Sequence, residues 1–73
     1  MSGQTNVLEH LRQALQSVAQ QHAPSARFNI EAAMSEHPAV TGYLTSAKHA
    51  VGQKLWSAAR YDIDSAISEL QHR

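Results

Sequence analysis

Cysteine is absent from this sequence. Neither a disulfide bond nor a thiolate metal site is therefore available, which is typical of a reducing compartment, and we expect a cytoplasmic protein. Long apolar runs are missing too, since no stretch approaches the roughly 18 residues of a membrane-spanning helix. Residues 1–6 lack the apolar core of a signal peptide. We therefore expect a soluble protein that is not exported by a cleaved signal and does not bind membranes.

An excess of charge of either sign is also lacking. Six basic residues balance six acidic ones, so the net charge is zero and no global field attracts nucleic acid or an anionic membrane. A chain of 73 residues forms one domain. Alanine supplies much of its apolar content, which predicts a thin core. Small domains often complete such a core by oligomerisation, so we expect a homodimer or a bound partner.

What the sequence does contain is an internal repeat. Residues 7–37 align with residues 40–70 without a gap, at a constant offset of 33. Self-similarity at a fixed period indicates a repeated structural unit, and this period suits two helices with their turns. The matched pairs include Val7 and Val40, Leu11 and Leu44, Ala14 and Ala47, Val18 and Val51, Arg27 and Arg60, Ile30 and Ile63, and Ala33 and Ala66.

Two copies are too few for an open solenoid, so the repeat predicts a compact all-α four-helix bundle made of two helical hairpins. We expect residues 1–5 to be flexible and residues 6–73 to form the domain. Each hairpin is predicted to have a long helix and then a short one. Apolar residues spaced three or four apart define one face of each long helix, through Val18 in the first copy and Leu55 in the second.

The short helices are predicted to begin at Asn29 and Asp62, because Asn and Asp side chains accept hydrogen bonds from the free N–H groups of a first turn. Phe28 and Tyr61 precede these caps, where an aromatic ring can pack back onto the helix as a hydrophobic staple. Pro38 is well placed as a first helical residue of the third helix.

Groups that catalyse reactions or bind metals are not found at the required spacings. No two histidines lie three or four residues apart, and the three glycines are isolated, so no phosphate-binding loop is present. Asp62 and Asp64 fit the start of a helix better than an acid and base pair. We therefore expect no catalytic residue, no metal and no cofactor, and a protein that is not an enzyme.

The repeated Arg27 and Arg60 have two interpretations. They could form symmetric anion sites near helix N-termini. Alternatively, they could pair with Glu36 and Glu69 or bond the last carbonyls of the preceding helix.

Differences between the copies single out the third helix and its surroundings. Tyr43 and Trp56 replace His10 and Ala23, and two glycines appear, Gly42 and Gly52. Glycine inside a helix indicates a close backbone approach, a kink or a misplaced boundary. Trp56 fits either the end of the core or an interface. The candidate partner-binding residues are Tyr43, Lys48, His49, Gly52, Lys54, Trp56 and Arg60.

These observations favour a small non-enzymatic module that binds another protein through the third-helix surface, as an adaptor, inhibitor or regulator. The alternative is a small nucleic-acid-binding regulator. In that case Lys48, His49, Gln53 and Lys54 of the third helix would contact phosphate or a groove.

Overall fold

The computed structural model describes the backbone of residues 3–72 and the side chains of residues 6–72. In this part of the chain, the prediction of an all-helical bundle is confirmed. The four helices are α1 (Gly3–Ala19), α2 (Ala23–Glu36), α3 (Thr41–Gly52) and α4 (Trp56–Gln71), and a short 3-10 helix, Pro38–Val40, leads into α3. None of them is long and apolar enough to cross a membrane. The expected flexible segment 1–5 lies partly outside the described residues, and α1 begins within it.

Each helix packs against two others. Helix α1 contacts α2 and α4, and α3 contacts the same two helices. This cyclic order forms a bundle 32 Å long and 17 Å across in the other two directions. It also places the α2–α3 interface and the α1–α4 interface on opposite sides of the bundle.

The core consists of one stripe of small and medium apolar side chains from each helix, at the spacings of a single helical face. Alanine at many of these positions allows the helix axes to approach closely, because interaxial distance follows the size of the contact residues. The buried apolar residues are Val7, Leu11, Ala14, Val18, Ala26, Ile30, Ala33, Val40, Leu44, Ala47, Ala50, Val51, Ala59, Ile63, Ala66 and Leu70.

The predicted starts of the second and fourth helices are wrong. Helix α2 begins at Ala23 and α4 at Trp56, so Asn29 and Asp62 lie in helix interiors. Asn29 does not cap a helix end. Instead, its Nδ2 donates a hydrogen bond to the Ser25 carbonyl at 3.0 Å. Helix α4 therefore has 16 residues and α3 only 12, which reverses the expected order of long and short helix in the second hairpin.

The earlier helix starts also explain why the aromatic staples are absent. Phe28 and Tyr61 lie within α2 and α4, on their outer faces, and are 68% and 72% exposed. Leu55 was expected inside the third helix, but α3 ends at Gly52, and Leu55 is 51% exposed in the following turn.

The two glycines near α3 do not mark a close helix contact. A Cβ atom built on Gly42 or Gly52 meets nothing within 4 Å. Gly42 is in the first turn of α3 and Gly52 is its last residue. Of the interpretations we considered, the misplaced helix boundary is the one that fits Gly52.

The turns inside the two hairpins have the same hydrogen-bond pattern. In the first turn, the N–H of Gln21 donates to the Val18 carbonyl and the N–H of His22 to the Ser17 carbonyl, both at 2.9 Å. In the second turn, the N–H of Lys54 donates to the Val51 carbonyl at 3.0 Å and that of Leu55 to the Ala50 carbonyl at 2.8 Å. These are Schellman motifs, whose central residue adopts a left-handed conformation. Gln21 and Lys54 accordingly have φ angles of 57° and 61°.

Glycine at either central position is expected to stabilise the fold. A left-handed backbone costs an L-residue roughly 1–2 kcal/mol, and glycine avoids this strain. Glycine also loses more conformational entropy on folding than other residues, which offsets part of the gain in stability. Gln21→Gly and Lys54→Gly should each raise the free energy of unfolding by about 1 kcal/mol and the melting temperature by roughly 4–8 °C. Thermal and urea denaturation measure both quantities.

Gln20→Gly is the matched control, since Gln20 is the neighbouring residue and its φ is not positive. It should not stabilise the protein. Equal effects of glycine at positions 20 and 21 would contradict the assignment of strain to Gln21.

Candidate protein-binding grooves

Five of the seven predicted partner-binding residues fall into two grooves rather than on one surface. Lys48, His49 and Gly52 line a groove between α2 and α3, which we call the Lys48 groove. Trp56 and Arg60 line a groove between α1 and α4, which we call the Trp56 groove. The two grooves therefore lie on opposite sides of the bundle.

The remaining two predicted residues lie elsewhere. Lys54 is in the turn between α3 and α4, in a shallow hollow that it shares with Leu55 and Trp56. Tyr43 is 41% exposed near the start of α3. Neither residue lines the Lys48 groove or the Trp56 groove.

The Trp56 groove has an apolar floor and a polar rim. Its lining residues are Leu15, Gln16, Val18, Ala19, Gln21, Trp56, Ser57, Arg60 and Asp64. Trp56 is partly buried and packs against the hydrophobic core, yet it also lines the open groove. Trp56 therefore packs on the core and is also accessible from the groove.

The arginine of this groove is on its rim. The Arg60 Nε atom lies 3.8 Å from the Asp64 Oδ2 atom, one helical turn further along α4. Both side chains are more than half exposed, so water screens this pair and its contribution to stability is small. Arg60 therefore remains accessible to a ligand in the groove.

The Lys48 groove is lined by side chains with hydrogen-bond donors. They are Arg27, Thr45, Lys48, His49 and Gln53, with Gly52 leaving space between them. The Gln53 amide nitrogen lies 2.8 Å from His49 Nε2, a distance at which the amide donates a hydrogen bond to the ring nitrogen.

One carboxylate borders the Lys48 groove. The Lys48 Nζ atom lies 2.8 Å from the Glu31 Oε2 atom, in an ion pair that joins α3 to α2. The hydrogen bond and charge of Lys48 hold the pKa of Glu31 below its ordinary value of 4.5, and the charge of Arg27 lowers it further. Two cations therefore act on a single carboxylate.

The expected pairing of Arg27 with Glu36 is not found. Glu36 Oε1 lies instead 2.9 Å from His10 Nδ1, in a contact between α2 and α1. Arg27 acts on Glu31 and Arg60 on Asp64, in each case the carboxylate four residues later.

The two grooves occupy corresponding positions of the two hairpins. Adding or subtracting 33 relates Arg27 to Arg60, Glu31 to Asp64, Lys48 to Leu15, His49 to Gln16, and Gly52 to Ala19. The repeated arginines are evident in the sequence, whereas Leu15 and Asp64 were not predicted to line a groove. The offset itself was the signal that could have identified them, because it relates Lys48 of α3 to Leu15 of α1 and Glu31 of α2 to Asp64 of α4.

Both grooves offer recognition chemistry: an indole over an apolar floor on one side, and cations with amide and hydroxyl donors on the other. Within residues 6–72, no three His, Asp or Glu side chains are grouped so that they could hold a metal ion. No protein-family model, curated protein or solved structure matches the chain, so these grooves are interpreted from their own residues.

The substitution Lys48→Leu, which introduces the residue of position 15, is expected to raise the pKa of Glu31 towards 4.5. Arg27→Gln should raise it less, because Arg27 is the smaller cause. A carboxylate whose pKa is lowered by folding adds stability above its unfolded pKa and loses it as pH falls through the folded value. Carbon-detected NMR titration of the Glu31 carboxyl measures the shift. Arg60→Gln, on the opposite side, is the control and should leave this pKa unchanged.

Proposed function

We propose that this chain is a small non-enzymatic module that binds a protein partner through the Trp56 groove. The observation that carries the proposal is the position of Trp56, which packs on the core and also lines an open groove with Leu15 and Val18. Tryptophan and arginine are enriched among the residues that dominate binding energy at protein interfaces. Trp56 and Arg60 supply both residue types within one helical turn.

Exposed apolar side chains extend this surface along the first half of α4. Leu55 shares a hollow with Trp56, and the ring of Tyr61 lies beside Arg60 and Asp64. Single exposed apolar residues are ordinary on a protein surface, whereas a contiguous group with a polar rim is typical of an interaction site. The group supports a partner that covers α4 as well as the groove.

The opposite groove lacks an equivalent anchor. Ala23 stands at the position that corresponds to Trp56, and Lys48 at the position that corresponds to Leu15. The indole of Trp56 therefore has no counterpart in the Lys48 groove, which favours the Trp56 groove as the principal protein-binding site.

We also propose that the two hairpins are copies of one unit. The apolar residues buried in α1 and α2 have buried counterparts 33 residues later, from Val7 with Val40 to Ala33 with Ala66. The Schellman turns at Gln21 and Lys54 share the same offset, as do the starts of α2 and α4. These correspondences support duplication of a hairpin.

Homodimerisation stays a prediction. The two hairpins already bury each other's core, since residues such as Leu11, Ile30, Leu44 and Ile63 are 0% exposed within one chain. A dimer would therefore form on the outer surface, and Trp56 would be its natural contact. Size-exclusion chromatography with light scattering measures the mass.

The proposed function is tested by affinity capture of a partner from the source cells with the immobilised chain. Trp56→Ala is expected to weaken binding of the captured partner at least about tenfold, the usual effect at a dominant interface residue. Arg60→Ala should also weaken it. Because Trp56 is the only tryptophan, its fluorescence reports binding of the purified partner directly.

Controls separate binding from folding. Trp56→Phe keeps an aromatic ring against the core and should restore stability and part of the affinity. Arg27→Ala removes the arginine at the corresponding position of the opposite groove and should leave the partner bound. A folded Trp56→Ala variant that binds the partner as tightly as the original chain would overturn the proposal.

A further inference from the structure

The Lys48 groove has a charge distribution that the Trp56 groove does not share. Arg27 and Lys48 face one carboxylate, Glu31, which leaves one unbalanced positive charge. In the opposite groove Leu15 takes the place of Lys48, and Arg60 is balanced by Asp64. The exchange of leucine for lysine at corresponding positions therefore gives the Lys48 groove a second cation that the Trp56 groove lacks.

Glu31 shows which chemical group the Lys48 groove accommodates. Its carboxylate is held 2.8 Å from Lys48 Nζ and also feels the charge of Arg27. The Lys48 and Glu31 side chains are 44% and 55% exposed, so a competing carboxylate can reach the lysine from solvent. The Glu31 carboxylate thus already occupies one of the positions in the Lys48 groove where a carboxylate of a ligand could bind.

We propose that the Lys48 groove binds an acidic peptide segment, whose carboxylates contact Arg27 and Lys48 while His49, Gln53 and Thr45 bond its backbone or side chains. This inference rests on the proposed protein-binding function in one respect, namely that the ligand is a peptide. It assigns a second site, on the side of the bundle opposite Trp56.

The dimensions of the groove favour a short peptide over nucleic acid. Thr45 and Gln53 limit it along α3, a span of roughly 12 Å at the helical rise of about 1.5 Å per residue. Three or four extended peptide residues cover that length at about 3.3 Å each. Nucleic-acid affinity depends on neutralising many phosphates, and the chain has no net charge with which to extend such a contact.

The lining of the groove also fits a peptide. Most of its exposed surface is carbon, from the stems of the long side chains that carry the charges. A segment with aliphatic as well as carboxylate groups therefore complements this surface better than a bare phosphate would.

The experiment uses the full chain and a capped hexaglutamate peptide, titrated by NMR at low salt. We expect the peptide to shift the amide signals of residues 45–53, and its affinity to fall as salt is added. Lys48→Leu and Arg27→Gln should each lower the affinity about two- to fivefold, the range for exposed ion pairs. Glu31→Gln should raise it by a similar factor, because it removes the internal competitor.

Matched controls locate the site. Arg60→Gln removes the corresponding arginine of the Trp56 groove and should leave the affinity for hexaglutamate unchanged. Hexaglutamine should not bind. A Glu31→Gln variant with no gain of affinity would overturn the inference, as would equal losses in the Arg27→Gln and Arg60→Gln variants.

A thymidine hexanucleotide is titrated in parallel. Tighter binding of the nucleotide than of hexaglutamate would also overturn the inference and identify a nucleic-acid site. Trp56→Ala should not change peptide binding. Trp56→Ala tests partner capture by the Trp56 groove, and Lys48→Leu tests peptide binding by the Lys48 groove. Either proposal can therefore fail without the other.

Discussion

The mutual burial of two apolar hairpin faces is the constraint on which the rest of this structure depends. A single pair of helices exposes its apolar stripe to water and cannot bury it alone. Here α1 and α2 supply one such stripe and α3 and α4 the other, and residues such as Leu11 and Leu44 become 0% exposed where they meet. Burying such a side chain contributes about 1.5–3 kcal/mol relative to leaving it exposed.

Small core residues keep both grooves at the surface of the bundle. Alanine at positions such as Ala14, Ala33 and Ala66 leaves little interior volume, so neither groove penetrates the bundle. Both lie between neighbouring helices at the surface, one along α2 and α3 and the other along α1 and α4. The chain thus has an open groove on each of two sides, and each groove is lined largely by side chains outside the fully buried core.

The sequence predicts the core well because the buried positions of a helix are apolar and recur every three or four residues. Residues such as Val7, Leu11 and Ala14 recur at helical spacing, and the offset of 33 repeats that pattern in α3. The position at which a helix starts is less clearly indicated by the residue types. Asn and Asp occur both at caps and inside helices, and Asn29 uses its amide to bond the carbonyl of Ser25 one turn back.

The candidate site was predicted only in part, for a related reason. The residue types were identified at Lys48, Trp56 and Arg60, but their assembly depends on the packing of α3 against α2 and of α4 against α1. The predicted third-helix surface therefore combined residues of two grooves that lie on opposite sides of the bundle. The left-handed turns at Gln21 and Lys54 gave no signal either, because neither position is glycine.

The two hairpins differ at the positions that line the grooves, so the two sides of the bundle present different side chains. A symmetric dimer of identical hairpins would present the same groove twice, because its symmetry relates the two helix interfaces. Joining the copies in one chain removes that restriction. Leu15 and Lys48 then differ at corresponding positions without altering the core, since neither residue is fully buried. Leu15 against Lys48 and Ala23 against Trp56 are exchanges at the edges of a buried interior that both hairpins share, so the side chains that line the two grooves differ while the core stays the same.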